Sequence, residues 1–592
     1  MRWRCTTGGE YRGDRAEPED ANRSTVRIPM RRFAPGRQWF PCLAILLVSV
    51  GAVLPSLLSE LLLAGHDAKH HVRWLHFFAE QFWQGTLYPR WLPEMNAGFG
   101  SPVFFIYPPL PYFVTALLHP FAPDPAAAPY RLAAGIALSL FVGGMGTFCW
   151  MRELVSRRNA LLSAILFILL PYHLLIDVYL RVAYAELWAL AWAPWALFAI
   201  HRFDRNPPLY GILCAASLAA LALSHAPSIP LLVPAILAYG LSVALIKRQL
   251  LPIGITIGAV ILSFPLCAAY LATALNHGEL INQAALFDGR HHYSRWLLFG
   301  AEPWPSEETW RMILATVFAQ GGMTVLFGLV LLSGPTSLRR WGWTPLLLAA
   351  GSLFLMTTWS DPVWRLFPVL QKVQFPWRFL IVQTVALTAL AGLALEACAR
   401  RPARIAAWMR PAVHFGLVGL ALVNVALLPP IAANREAIST ESVFALPRGP
   451  KEYVLGDLDK LRQLFPRRSR ALVTAGEGRV AVRDWRSRRV ALEIDARTTV
   501  TVAVRQFHYT GWRYVSDNGV AKAADALVRL GVVGLKLPPG RHHVELTLTP
   551  TGEERFGRMA SLLSVAALIV AAFFSAKRSR RIPSWANARP PA

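Results

Sequence analysis

The sequence predicts a multi-pass α-helical membrane protein of about twelve transmembrane helices, with a β-sandwich domain near its C-terminus. Three observations predict it. Apolar runs of about 20 residues recur along most of the chain, and a helix of that length crosses a hydrocarbon core roughly 30 Å thick. Only 16% of the 592 residues are charged, and they gather in short clusters between the apolar runs, so the membrane supplies the surroundings that a soluble chain builds from its own core. From about residue 474 the hydrophobic period changes to two, and turn residues cut the chain into short segments.

Two rules place the helices: apolar runs span, and Lys/Arg clusters stay on the cytoplasmic side. The expected spans are 40–63, 128–150, 159–176, 187–200, 209–225, 228–246, 251–273, 311–333, 343–358, 378–398, 411–430 and 558–576. Basic clusters then fall inside, among them Arg157-Arg158, Lys247-Arg248, Arg339-Arg340 and Lys577-Arg578. One stretch, 102–120, is apolar but holds Pro102, Pro108, Pro109, Pro111 and Pro120. Counting it as a span would reverse every later cluster. Its prolines oppose an uninterrupted helix, so it is placed as an interfacial or re-entrant segment of a long outer loop, 64–127.

The expected organisation is a basic cytoplasmic tail at 1–39, a transmembrane domain at 40–430, a periplasmic domain at 431–557, a last helix at 558–576 and a basic tail at 577–592. Met30 is an alternative start. The run after Phe40 is too long for a signal-peptide core and reads as a retained anchor. The net charge of +25 suggests nucleic acid, but its distribution at span ends argues against such a partner. The six cysteines form no disulfide framework and no CxxC knuckle.

Within 474–557, Val480, Val482, Leu492, Ile494, Val500, Val502, Val504, Val544, Leu546 and Leu548 alternate with other residues as strands do. Asp517-Asn518-Gly519 and Pro538-Pro539-Gly540 are turn signals. Trp485, Tyr509, Trp512 and Tyr514 are either sugar-stacking rings or core.

Three polar constellations fall on the outer side. The first is Gly65-His66-Asp67-Ala68-Lys69-His70-His71. An amphipathic helix follows through Trp74, Phe77, Phe78 and Phe82, expected on the membrane surface. Asp67 at the mouth of a span suits a general base, or an interfacial charge paired with Lys69 or Arg73. His66/His70 and Asp67/His71 stand four apart, so a divalent metal on His66 and His70 is geometrically open. The second runs from Asp177 through Arg181 to Glu186. Arg181 either holds a phosphate or forms ion pairs that pin two helices. The third is Gln374-Phe375-Pro376-Trp377-Arg378, where Arg378 either meets a lipid phosphate or snorkels. His225, Asp288, His291, His292, Arg295 and Asp361 add polar and charged residues to the same side. No Walker A, GxGxxG or GxSxG motif has a fitting context.

The stretch Gly65-His66-Asp67, with Tyr88-Pro89-Arg90-Trp91, Gly98-Phe99-Gly100-Ser101-Pro102 and Tyr107-Pro108-Pro109-Leu110-Pro111-Tyr112, resembles bacterial membrane proteins labelled 6-pyruvoyl-tetrahydropterin synthase-related. Arg181 to Glu186, the Gln374–Arg378 motif, Tyr509-Thr510-Gly511-Trp512 and Leu537-Pro538-Pro539-Gly540 fit the same group. The label names a small soluble zinc enzyme, which this chain does not resemble. The architecture is similar to that of GT-C membrane glycosyltransferases, including the YfhO-like group. That resemblance implies transfer, with inversion, from a polyprenyl-phosphate sugar on the outer face of the bacterial inner membrane. The acceptor would be an envelope glycan or lipid. It maps the acidic residue of the first outer loop onto Asp67, and a second onto Asp177 or Glu186. Asp67 departs from the pattern in having no acidic neighbour, which leaves a metal without a second carboxylate there.

The reading is therefore a GT-C-type glycosyltransferase. Asp67 is its catalytic carboxylate, and His71, Tyr107, Arg181, Glu186 and Arg378 line the substrate. Alternatives are a glycolipid transporter or flippase, which calls for internal repeats and paired midplane charges, and a non-catalytic envelope-assembly scaffold.

Overall fold

The computed structural model describes residues 39–58, 63–287, 289–300, 303–401, 403–433, 439–445, 448–466, 469–517, 519–527 and 531–581. The tail with Met30, and also Asp288 and Asn518, lie outside the described residues. The chain divides into Met1–Pro41, of which only Trp39, Phe40 and Pro41 are described, and Cys42–Ala592. All of the packing below belongs to the second unit.

The helices that position the site are α1 (Phe40–Leu58), α2 (Ala68–Trp83), α3 (Leu110–Ala116), α4 (Ala128–Met151), α5 (Arg157–Leu169), α6 (Tyr184–His201), α7 (Pro207–Ala222), α8 (Ile229–Lys247), α9 (Leu251–Leu266), α10 (Ala268–His277), α11 (Glu307–Leu332), α12 (Thr336–Leu355), α13 (Leu380–Arg400), α14 (Ala403–Ala433) and α15 (Gly552–Arg581). Each of the twelve expected spans has a helix. Eight are long and apolar enough to cross a membrane, or nine if α9 and α10 are one bent span. The others, α6, α7 and α12, are shorter or more polar. The break between α9 and α10 turns the chain by 72° just after Pro265, whose ring cannot continue the helical hydrogen bonds. α13 is the central helix: 94% of its apolar window is buried, against 6% for α15. α15 instead exposes Leu562, Leu563, Ile569, Phe573 and Phe574, an apolar surface suited to lipid.

The prolines of 102–120 act as expected. The stretch breaks into Val103–Ile106, α3 and a turn at His119–Phe121. The α2 expectation needs correction. It does not lie only against the membrane surface: Trp74 and Phe78 are buried, and α3 and α4 pack on it. The stripe that would face lipid faces protein instead. Arg73 adds to this by donating from Nε to the Val443 carbonyl (2.6 Å) and from Nη1 to the Arg448 carbonyl (2.8 Å).

Nine strands follow: β1 (Ala471–Ala475), β2 (Gly478–Arg486), β3 (Arg489–Ala496), β4 (Val500–Phe507), β5 (Trp512–Val515), β6 (Ala521–Ala523), β7 (Asp525–Leu527), β8 (Val532–Leu537) and β9 (Gly540–Leu548). They form two antiparallel sheets, β1-β4-β8-β7 and β2-β3-β9-β5-β6. The period-two pattern sets the register: Leu492 faces Val544 and Val490 faces Leu546, and all four are buried. Tyr509, Trp512 and Tyr514 are core, so they offer no sugar platform, while Trp485 is half-buried.

This sandwich does not close on its own residues. Trp91, Phe99 and Phe105 of the segment 64–127 belong to its core. Trp91 Nε1 donates to Gln506 Oε1 (2.6 Å), Gln506 Nε2 to the Gly98 carbonyl (3.0 Å), and the Phe507 amide to the Phe99 carbonyl (2.6 Å). Gly100 has φ of 86°, and a side chain there would strike the Trp91 ring and the Gln506 amide, so only glycine fits. A buried ion group completes the joint. Glu554, at the start of α15, receives Arg488 from β-region residue 488 through both oxygens (2.9 and 3.2 Å) and pairs with Arg90 Nε (3.2 Å). Arg90 also donates to Thr273 Oγ1 (2.8 Å) and the Ala269 carbonyl (2.5 Å).

Candidate active site

α5 ends because Leu170 precedes Pro171 and is pushed to an extended conformation (ψ 137°). The chain then winds as a π-helix over Tyr172–Leu180, an uncommon form that recurs at functional sites. Arg181 caps it. Val182 follows at φ 55°, a strained value for a β-branched residue. The Ala183 amide, bonded to the Asp177 carbonyl (2.7 Å), and the Tyr184 amide, bonded to the Val182 carbonyl (2.8 Å), hold that turn. It brings Asp177, Arg181 and Glu186 to one point.

There Arg181 Nη1 donates to Asp177 Oδ1 (2.8 Å) and Glu186 Oε2 (2.9 Å). Glu186 lies in the first turn of α6, where the helix N-terminus favours a carboxylate. Its other oxygen accepts the Tyr172 hydroxyl (2.6 Å). Arg378 arrives from a short turn, Pro376–Phe379, with Nε 3.5 Å from Glu186 Oε2. Its Nη1 donates to the Val373 carbonyl (2.6 Å) and Gln374 Oε1 (3.1 Å). Gln374 is itself left-handed, at φ 69°. The Arg181 guanidinium stacks on Trp377, and that of Arg378 on Phe375, both at 4.9 Å. Asp177, Arg181, Glu186 and Arg378 are all buried. Both sequence readings of Arg181 therefore start from a real ion pair. Yet Asp177 Oδ2, Arg378 Nε and Trp377 Nε1 remain buried without a hydrogen-bond partner, which marks polar capacity still unused.

Asp67 is brought here by its backbone. Its amide donates to the Arg181 carbonyl (2.9 Å), and that of His66 to the Leu180 carbonyl (3.2 Å). Asp67 precedes α2 but its side chain does not cap the helix, the usual task of an aspartate there. Nor does it pair with Lys69 or Arg73. The carboxyl is half-buried, and burial pushes its pKa up while the charges of Arg181 and Arg378 pull it down.

Tyr107 is half-buried beside it, its ring 5.0 Å from Trp74 and 6.4 Å from His71. His71 is buried among Trp74, Tyr107, Tyr112 and Tyr184, and its Nδ1 is bonded to the Tyr112 hydroxyl (2.7 Å). Burial, then the neighbouring His70, His225 and Arg181, hold its pKa near 3, so it is a neutral wall residue. His66 is exposed. His70 is half-buried, with Nδ1 unpartnered and its pKa held near 3 by burial and by Arg73 and Lys69. Among the described residues no three His, Cys, Asp or Glu converge as a metal site. His291, His292 and Asp361 sit apart, in segments between helices where Asp361 accepts the Tyr293 hydroxyl (2.9 Å).

No family model and no curated protein matches the chain in sequence. Solved structures do resemble it. The arabinofuranosyltransferase AftD from Mycobacteria is 16% identical over 68% of this chain and 28% of its own, with a TM-score of 0.43. The archaeal oligosaccharyltransferase AglB from Archaeoglobus fulgidus, solved with an inhibitory peptide and a dolichol-phosphate, is 11% identical over 70% of this chain and 57% of its own, at 0.39. ArnT from Cupriavidus metallidurans, bound to undecaprenyl phosphate, is 15% identical over 68% of this chain and 67% of its own, at 0.38. The chain thus spans 28% of the length of AftD.

Some site residues escaped the sequence reading. Tyr172 and Trp377 are contiguous with recognised motifs, but nothing marked them as partners of Glu186 and Arg181. Gln320, whose Oε1 accepts the Tyr172 amide (3.0 Å), comes from α11 with no local signal. His225, bonded through Nδ1 to Ser228 Oγ (2.8 Å), lies close enough to act on the charges of Glu186 and Arg378. The sequence reading named it among the polar residues expected on the outer side, but gave it no part in this site.

Proposed function

We propose that the chain is a GT-C-type glycosyltransferase of a bacterial inner membrane. It transfers a sugar from a polyprenyl-phosphate donor to an envelope glycan or lipid acceptor on the periplasmic face, where the β-sandwich also lies. One observation carries the reading. Asp67 is held by its backbone against Arg181, yet its carboxyl is spent neither on the helix cap nor on an ion pair. A carboxyl so placed, with a pKa raised by burial, suits proton abstraction near neutral pH.

In this mechanism Asp67 takes the proton of the acceptor hydroxyl. The hydroxyl oxygen bonds to the anomeric carbon as the bond from that carbon to the phosphate oxygen breaks. The electron pair of the broken bond stays on the polyprenyl phosphate. Arg181 and Arg378 stabilise that phosphate, and Glu186 orients both guanidinium groups. A single displacement inverts the anomeric centre. His71 and Tyr107 form the wall beside Asp67.

The test is Asp67→Asn in the full chain. It is expressed in a strain deleted for the gene, with the envelope glycans and glycolipids that change on deletion as the readout. Loss of a general base lowers turnover about 10²–10⁴-fold. A folded variant with full activity would overturn the assignment and leave the Arg181 group as a structural pin.

A further inference from the structure

We propose that Glu452, delivered by the segment that leads into the β-sandwich, is a substrate-binding residue. Its carboxylate accepts a hydroxyl of a sugar-containing acceptor at the mouth of the cleft, facing Asp67. This rests on the glycosyltransferase reading above.

The segment is fixed from several sides. Arg73 of α2 holds the Val443 and Arg448 carbonyls. Asn96 Oδ1 accepts the Gly449 amide (2.8 Å), and its Nδ2 donates to the Tyr453 carbonyl (3.3 Å). Asn96 has a left-handed backbone, at φ 56°, and is wholly buried, so it serves as a strained latch between the first loop and this segment. The Asn282 amide donates to the Glu452 carbonyl (3.1 Å). The same outer loop accepts Gln374 Nε2 at the Leu286 carbonyl (2.6 Å), and Gln374 Oε1 in turn holds Arg378. One frame of hydrogen bonds therefore runs from Glu452 to Arg378.

What that frame holds in place is a carboxylate without a neighbour to bind. Glu452 is half-buried, and beyond its own backbone amide it finds no donor among the described residues. Burial, and then the charge of Asp67, push its pKa up. A carboxylate whose ionisation is opposed by a nearby charge is relieved when a hydrogen-bond donor enters beside it. Around the two carboxyls stand flat rings: Tyr453 packs 5.9 Å from Trp74, which packs 5.0 Å from Tyr107. The Trp74 indole N–H is buried with no acceptor. Aromatic faces edged by an unpaired donor and unpaired acceptors match a sugar ring, whose faces are C–H and whose edge is hydroxyl. The β-sandwich then has a role. It closes on Trp91 and Phe99 and so keeps its leading segment seated over Asp67.

The experiment uses the full chain in membranes of the deletion strain, which supply the strain's own lipid-linked sugars and, in graded amounts, its own acceptor fraction. Wild type, Glu452→Gln, Glu452→Asp and Asp67→Asn are compared. Glu452→Gln is expected to raise the apparent KM for the acceptor fraction about tenfold or more, with kcat nearly unchanged. Glu452→Asp restores part of it. A folded Glu452→Gln chain that matches wild type in KM overturns the Glu452 assignment alone. Wild type equal to Asp67→Asn overturns the glycosyltransferase reading, and this assignment with it. Activity lost in a chelator, restored by a divalent cation and insensitive to cation in Glu452→Gln overturns the hydroxyl in favour of a metal.

Discussion

Glu554→Ala tests how the β-sandwich is held on the helices. Glu554 is 7% exposed and, among the described residues, is the only carboxylate paired with Arg90, which is 3% exposed. It is likewise the carboxylate of Arg488, whose side chain is 21% exposed. Removing it leaves one guanidinium buried and unpaired and another half-released to water. Breaking a fully buried pair in this way costs about 3–5 kcal/mol. The partial exposure of Arg488 places the expectation near the lower bound, about 3 kcal/mol. Thr273 and the Ala269 carbonyl still hold Arg90, so the helices keep their end of the joint. The loss therefore falls on docking of the sandwich, and about 3 kcal/mol is a roughly hundredfold rise in the undocked population. Hydrogen exchange in detergent reads it out at the Phe507 amide, whose bond to the Phe99 carbonyl crosses the joint. Exchange there should accelerate about a hundredfold, while amides inside α13 stay protected. Unchanged exchange at Phe507 in a folded variant would refute the claim that this ion group seats the domain.

Gly100→Ala should destabilise the same joint by more than about 1 kcal/mol, since the added carbon meets Trp91 and Gln506 at a left-handed φ; the thermal midpoint of the purified chain reads it. Acid should loosen the other side of the first loop. Arg131 donates to His119 Nδ1 (2.6 Å) and His76 Nδ1 (3.0 Å), so both rings must be neutral there. Burial and Arg131 hold the His76 pKa at about 4, below its ordinary 6.5, so the unfolded chain binds the proton first. The stability contributed is full above about pH 6.5 and falls as pH drops toward 4; His76→Gln should flatten the thermal midpoint across that window.

The helices were legible because a span must be long and apolar, and the sandwich because alternation marks a half-buried strand. The site was legible as types but not as an arrangement. Asp67, Arg181 and Arg378 stood out as charges beside apolar runs, yet only the bonds from the Asp67 and His66 amides to residues 181 and 180 bring them together. Helix α2 was misread in part because an apolar stripe suits lipid and protein equally; what covers it comes from α3, α4 and residues 439–445. Trp91, Phe99 and Phe105 carried no strand pattern, so their place in the sandwich core had no local signal. Glu452 had none either, because its meaning lies wholly in what it faces.

In the proposed reaction, charge balance accounts for how arginines already paired with carboxylates would still serve a phosphate. A polyprenyl-phosphate sugar is a phosphodiester with one negative charge, and the phosphate that leaves carries one more. Over the same step Asp67 gains a proton and loses its charge. The total charge near Arg181 and Arg378 is then unchanged, and what moves is its position, from Asp67 to the phosphate. Arginines fixed by Glu186 and stacked on Trp377 and Phe375 need not move to follow it. The same argument gives a signed prediction. Arg378 lowers the Asp67 pKa, so Arg378→Gln should raise it and shift the acid limb of the pH profile to higher pH. It should also lower kcat, since the leaving phosphate loses a partner. If the limb of a folded Arg378→Gln chain stays in place or moves to lower pH, the residue titrating in that limb is not Asp67.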